Sequence, residues 1–235
     1  MSDFPSVFHE GQVFLVDKPL GWTSFDAVAK IRNSIRKYLD TKKIKVGHAG
    51  TLDPMATGLL VICTGRFTKK IPVFQDEPKT YSGKMILGKT TPSFDVETEM
   101  DAEYPVEHIS SESIQGIIPQ FLGEIEQIPP VFSAVKKDGK RSYELARKGK
   151  EVKLDARPIQ IYALELDSAN FPEISFRVQC SKGTYIRSLV RDIGNALGSG
   201  AYMTELRRTH SGGFSLEEAR SPEEWAGSIL SGEIK

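Results

Sequence analysis

Apolar residues recur along the chain at two distinct periods. Phe25, Val28, Ile31, Ile35 and Leu39 follow each other at three- and four-residue steps, the spacing of one helix face. Thr23 opens that run with Asp26 three residues on, a capping-box pattern that predicts a helix starting at Ser24. Lys30, Arg32, Arg36 and Lys37 then fall largely on its other side. A second helix is predicted from Ser110 or Ser111 through Ile114, Ile117, Ile118, Phe121 and Leu122. A third runs from about Thr184 to Leu197, with Ile186, Leu189, Val190, Ile193 and Leu197 inward and Gly198 as its stop. Gln12–Val16, Leu59–Cys63, Tyr81–Leu87, Ile159–Leu166, Ile174–Cys180 and Ala201–Arg208 read as strands. Several alternate, as Ile174, Phe176, Val178 and Cys180 do. Hairpin-like spacing between the last strands, without regular βαβ alternation, predicts an α+β fold with a mixed, mostly antiparallel central sheet flanked by helices. Loops are expected at Gly47–Gly58, Pro92–Pro105 and Pro129–Lys153, the last long, basic and flap-like.

Composition narrows the class. The chain has 235 residues, 39% hydrophobic and 26% charged, which suits a globular protein and excludes general disorder. No run approaches the roughly 18 apolar residues of a membrane helix, and Met1–Glu10 does not read as a signal peptide. Two cysteines, Cys63 and Cys180, make no disulfide framework, so a reducing compartment, the cytoplasm, is expected. Thirty-one basic and thirty-one acidic residues cancel, but their order does not. Lys30, Arg32, Arg36, Lys37, Lys42, Lys43 and Lys45 face only Asp40 in their stretch. A second basic stretch runs from Lys136 to Lys153, while Thr90–Val135 holds no Lys or Arg. If the basic stretches meet in space they form a polyanion-binding face.

Much chemistry lacks a signature. The four histidines are scattered and no Cys-x-x-Cys pair occurs, so no metal site is expected. No phosphate loop, dinucleotide turn or nucleophile elbow appears. Activity is expected to rest on side chains alone, without a cofactor.

One segment supplies them. Gly47-His48-Ala49-Gly50-Thr51-Leu52-Asp53-Pro54-Met55-Ala56-Thr57-Gly58 places a carboxylate on a glycine-rich loop, and Pro54 pushes Asp53 toward an extended backbone. The string closely resembles the catalytic-loop motif of the TruB-type pseudouridine synthases. The resemblance extends over nearly the whole chain. It includes Asp17-Lys18-Pro19-Leu20-Gly21-Trp22-Thr23-Ser24, Lys79-Thr80-Tyr81 and Gln127-Ile128-Pro129-Pro130-Val131-Phe132-Ser133-Ala134. It continues through Cys180-Ser181-Lys182-Gly183-Thr184-Tyr185-Ile186-Arg187 and Leu206-Arg207-Arg208-Thr209. Ala49, Phe132 and Pro92 depart from the residues usual at those places.

The resemblance implies a monomeric enzyme that converts uridine 55 in the T-loop of transfer RNA to pseudouridine. Asp53 matches the essential aspartate and Arg187 the guanidinium that pairs with it, which favours the ionised carboxylate. Tyr81 matches the residue stacking on the target base. Tyr185 and Leu206 match the uracil pocket, and His48 the residue entering the T-loop beside the flipped nucleotide. Lys18 and Pro19 are expected to support the loop. Lys136, Lys140, Arg141 and Arg147 are expected to contact T-arm phosphates. Longer family members carry a C-terminal PUA module. Here Ser215–Lys235 reads as one acidic helix with Trp225, so a single catalytic domain over 1–235 is expected. Two other readings are a catalytically silent RNA-binding protein and a synthase acting on another RNA. The Asp53, Tyr81 and Arg187 set disfavours the first, and the absence of basic low-complexity tails disfavours the second.

Overall fold

The computed structural model describes residues 4–133, 136–137, 140–141 and 154–234. Helix α1 (Phe4–Glu10) leads into strand β1 (Val13–Lys18), helix α2 (Ser24–Tyr38) and strands β2 (Val46–His48) and β3 (Ala56–Thr64). A 3-10 turn (Gly65–Lys70) and helix α3 (Ile71–Asp76) precede β4 (Lys79–Leu87), β5 (Lys89–Thr90) and β6 (Ala102–Glu103). Helix α4 (Ser111–Ile117) is followed by β7 (Gly123–Gln127), the short strands β8 (Lys136–Lys137) and β9 (Lys140–Arg141), and the hairpin of β10 (Arg157–Asn170) and β11 (Glu173–Cys180). Helix α5 (Ile186–Ala196), β12 (Ala201–Ser211), β13 (Phe214–Ser215) and helix α6 (Pro222–Ser231) complete the order. Nine of the described strands form a mixed, mostly antiparallel sheet flanked by helices, the architecture that the apolar pattern predicts, while β5–β6 and β8–β9 pair separately. The residues divide into two compact units, Met1–Tyr81 with Leu206–Lys235, and Ser82–Glu205.

In the first unit β3 is the organising strand. It pairs antiparallel with β1, from Val13↔Cys63 to Lys18↔Gly58, and with β2, from Val46↔Thr64 to His48↔Ile62. On its other side the later half of β12 runs parallel to it, with Leu206 opposite Ala56. Leu60 and Ile62 pack in one cluster with Val28, Ile31 and Ile35 of α2 and with Trp225 and Ile229 of α6. Leu59, Val61 and Cys63 pack in another with Phe67, Ile71 and Phe74. Burial on both faces explains why this strand reads as a continuous apolar run rather than an alternation.

The expected α2 cap is present. Thr23 Oγ1 accepts from the Asp26 amide at 3.1 Å, and an Asp26 carboxylate oxygen accepts from the Thr23 amide at 2.8 Å. Phe25, assigned to the inner stripe from its spacing, is instead 62% exposed, with the Arg32 guanidinium 5.4 Å from its ring centroid. Ala27 takes the buried place. The tail is not one helix: a 3-10 turn (Leu216–Glu218) precedes α6. Trp225 meets Phe14 edge-on at 4.9 Å and donates from Nε1 to Leu15 O at 2.8 Å.

In the second unit β10 lies between β7 and β11, antiparallel to both. Ile174, Phe176, Val178 and Cys180 of β11 are all buried, as their alternation predicts. Helix α4 starts at its Ser110 cap but stops at Ile117, because Pro119 tightens the chain into a 3-10 turn; Leu122 is consequently exposed. Helix α5 buries Ile186, Leu189, Val190 and Ile193 and ends near Gly198, whose φ is 66°. The polar stretch expected as a loop contains β6, which pairs with β5 just before that stretch, and buries Ser93 and Asp95. Of the basic stretch, β8 pairs with β9, Lys136 opposite Arg141. Arg147 lies outside the described residues.

Candidate active site

The loop bearing Asp53 is fixed from several sides, all within the first unit. The Ala49 amide donates to Val61 O at 2.8 Å. The Leu52 amide donates to Ser24 Oγ at 2.8 Å, and the same hydroxyl donates to Leu52 O at 3.1 Å. The Gly21 amide donates to Pro54 O at 2.9 Å, and the Ala56 amide to Asp53 O at 3.0 Å. The residues on both sides of Asp53 are thus tied to Ser24, the first residue of α2, and to Gly21 in the turn before it. Gly58 closes the loop at φ 101°, and a Cβ there would run into the Arg208 backbone. Only glycine meets both demands.

Lys18 ends β1 with no exposed surface. Its ammonium donates to Pro19 O at 2.9 Å and to Trp22 O at 2.6 Å, holding the turn that bonds Pro54. Burial pulls its pKa down from 10.5 to about 8; the Arg208 charge adds to that shift and the Asp53 carboxylate opposes it. Lys18 therefore does two things, bracing the turn and placing a buried cation in the field of Asp53. The sequence indicated only the first.

Arg208 is the group that sequence reasoning missed. It is almost wholly buried, its Nε donates to Leu59 O at 2.7 Å, and Nη2 donates to Gly50 O at 3.1 Å. Its guanidinium carbon lies 6.0 Å from the centroid of the half-buried Tyr81 ring, at the outer range of a cation–π contact. One planar cation thus ties the aspartate loop, β3 and Tyr81. The available signal was its place in the Leu206–Thr209 motif, but a surface arginine on a strand is the ordinary expectation. Arg207, its neighbour, bonds Asp17 at 2.7 Å and Thr57 at 3.2 Å. Leu206 is buried, and burial lowers the His48 pKa, with the Arg208 charge acting in the same direction against a backbone hydrogen bond with Gly50. Asp53, Lys18, Pro19, His48, Tyr81 and Leu206 all belong to this unit.

Arg187 and Tyr185 belong to the second unit. Arg187, in the first turn of α5, is 4% exposed. It donates from Nη1 to Ser93 O at 3.1 Å and from Nη2 to Phe132 O at 2.9 Å, and its Nε lies 3.5 Å from Asp95 Oδ2. Asp95 was another omission, hidden in a run of acidic residues that otherwise reads as solvated. Phe94 beside it has φ 62°, a strained backbone for a non-glycine residue, stacked under Arg191 at 4.9 Å. Tyr185 caps α5, its backbone clamped both ways by the Gln127 amide, at 2.8 and 3.1 Å. The expected RNA-contacting residues Lys136, Lys140 and Arg141 lie on β8 and β9. Among the described residues no group of His, Cys, Asp and Glu is placed to hold a metal ion, and no helix is long and apolar enough to cross a membrane.

A carboxylate on a fixed glycine loop, a buried lysine beside it and an aromatic ring over a buried guanidinium define a site for acid–base or nucleophilic work. The family comparisons agree with that class. Residues 36–186 match the model of the TruB family pseudouridylate synthase N-terminal domain, and residues 187–224 that of the tRNA pseudouridylate synthase B C-terminal domain. The chain is similar to tRNA pseudouridine synthase B of Phocaeicola vulgatus, 58% identical over 221 residues, covering 93% of this chain and 94% of that one. Flavobacterium johnsoniae has a relative of the same name, 53% identical over 216 residues, with 92% and 94% covered. Among solved structures, a chain of a Cbf5–Nop10–Gar1 complex superposes with TM-score 0.71 at 30% identity, covering 99% of this chain. A chain of an H/ACA RNP bound to a substrate RNA containing 2'-deoxyuridine gives 0.67 at 28%, covering 97%. This chain spans 59% and 57% of the lengths of those two. The chain belongs to the TruB family of pseudouridylate synthases, and so is an isomerase.

Proposed function

We propose that this enzyme converts uridine 55, in the T-loop of transfer RNA, to pseudouridine, with Asp53 as the reacting carboxylate. The reaction breaks the glycosidic C–N bond, turns the base and rejoins it to the same ribose through carbon. Nothing is oxidised and no group is imported, so side chains suffice. The observation that carries the reading is the Asp53 loop, bonded on one side to Ser24 at the start of α2 and on the other to Gly21 in the turn before it, and lying in the field of the buried Lys18 ammonium. A rigid loop holds the carboxylate in one attack geometry, and by Coulomb attraction the Lys18 charge favours its ionised form. Arg187 is the proposed charge partner of the carboxylate during the reaction, held in turn by Asp95.

Tyr81 serves as the platform for the flipped base, a stacking worth about 1–3 kcal/mol. Tyr185 and Leu206 line the uracil pocket, and His48 fills the gap that the base leaves. Burial keeps His48 in its neutral form near neutral pH, suited to stacking. Lys136, Lys140, Arg141 and Arg147 contact phosphates of the T arm. The relatives' shared name, tRNA pseudouridine synthase B, supports the substrate class. The whole chain acts as one catalytic domain, a monomer in the cytoplasm.

The test is Asp53→Asn, which keeps the shape and removes the charge. It is expected to abolish pseudouridine formation on a T-arm stem-loop while RNA binding stays within about threefold of wild type. Wild-type turnover by the variant would take Asp53 out of the mechanism.

A further inference from the structure

The first unit also contains a concavity of about 550 Å³ that none of the roles above uses, lined by Arg36, Lys42, Lys43, Lys45, Arg66 and Lys69. Its cations come from sequence segments some twenty residues apart, and strand pairing unites them. Val46 pairs with Thr64, and the Gly65 amide donates to Lys45 O at 2.9 Å, which sets the lysine run after α2 against the turn after β3. Lys42, Lys43, Lys45, Arg66 and Lys69 are at least partly exposed, and Arg36 is half-buried. Among the described residues none of the six joins an ion pair. Arg36 Nε is buried without a hydrogen-bond partner. A buried donor left unsatisfied is costly, and a bound anion would satisfy it.

We propose that this concavity is a phosphate site for the backbone of the same RNA whose uridine Asp53 processes. The inference rests on the function proposed above and adds a second contact surface to it. Apart from the exposed His9, no aromatic side chain lines the concavity, and six cations do, so it suits phosphates far better than bases. Its rim also adjoins the reaction loop: Lys45 lies three residues before His48, about 10 Å at the rise of a strand. A phosphate held there belongs to nucleotides near the target.

The test compares wild type, Lys43→Glu/Arg66→Glu, and a control, Lys84→Glu/Lys89→Glu, that changes net charge equally on the second unit. Binding of unmodified transfer RNA is measured across a salt series. The concavity variant is expected to bind at least tenfold more weakly at low salt. Its log–log salt slope should flatten by about 1.5, in keeping with roughly 0.7–0.9 for each of two phosphates no longer neutralised. The control should keep the wild-type slope. An unchanged slope in the concavity variant, or an equal change in the control, overturns the proposal. Pseudouridine mapping on the same samples separates the two readings. A wild-type protein that makes no pseudouridine yet shows the slope difference defeats the function and leaves the phosphate site standing. Full turnover with no slope difference does the reverse.

Discussion

Lys18 shows how a single residue joins structure to chemistry. Below pH 8 it is a buried ammonium whose charge favours the Asp53 carboxylate; above, it becomes neutral. Because its folded pKa of about 8 lies below its ordinary 10.5, the unfolded chain binds the extra proton between those values. Stability from this group therefore rises with pH across that window. Activity should move the opposite way. The rate of pseudouridine formation at saturating RNA is expected to fall as pH rises through 8, while the melting temperature does not fall in step. A rate that holds steady to about pH 9.5, well past that folded pKa, would remove Lys18 from the electrostatics of the site. Asp53 and His48 could be singled out as candidates because they stand in one long ordered motif, and Tyr81 because Lys79-Thr80-Tyr81 belongs to the same resemblance. Arg208 and Asp95 were not, since what sets them apart is burial, and no local pattern announces that an arginine on a strand or an aspartate in an acidic run is buried.

At the scale of elements, helix α2 both builds the core and anchors the aspartate loop through Ser24. Ile31 has no exposed surface, whereas Phe25 is 62% exposed. Ile31→Ala is expected to cost about 2–5 kcal/mol, and Phe25→Ala to stay within about 0.5 kcal/mol. Urea denaturation measures both. Equal losses would mean that Phe25 is covered in solution. Most strands and the starts of α2, α4 and α5 were readable, because caps and periodicity are local signals. Helix α1, the 3-10 turn after β3 and α3 were not foreseen. Their apolar residues, Phe8, Phe67, Ile71 and Phe74, are too few per turn to show a period, and contacts with β3 and the core around it order them instead. Leu122 fell outside the core for a related reason: its spacing suited a helix that Pro119 had already ended.

For the whole molecule, zero net charge conceals strong segregation. The basic run after Lys30 does not remain a simple solvated helix face, since β2–β3 pairing folds part of it against Arg66 and Lys69 into one concave surface. Composition alone carried no hint of that, because the pairing partner lies across the aspartate loop. The family resemblance, by contrast, was readable over nearly the full length, and family models match 36–224. Whether the protein forms pseudouridine 55 is decided by incubating it, purified, with an unmodified transfer RNA transcript, without added metal or nucleotide, and mapping pseudouridine along the RNA. One pseudouridine, at position 55, present with the wild-type protein and absent with Asp53→Asn, is the expected result. Modification elsewhere, or at that position with the variant, would contradict the account.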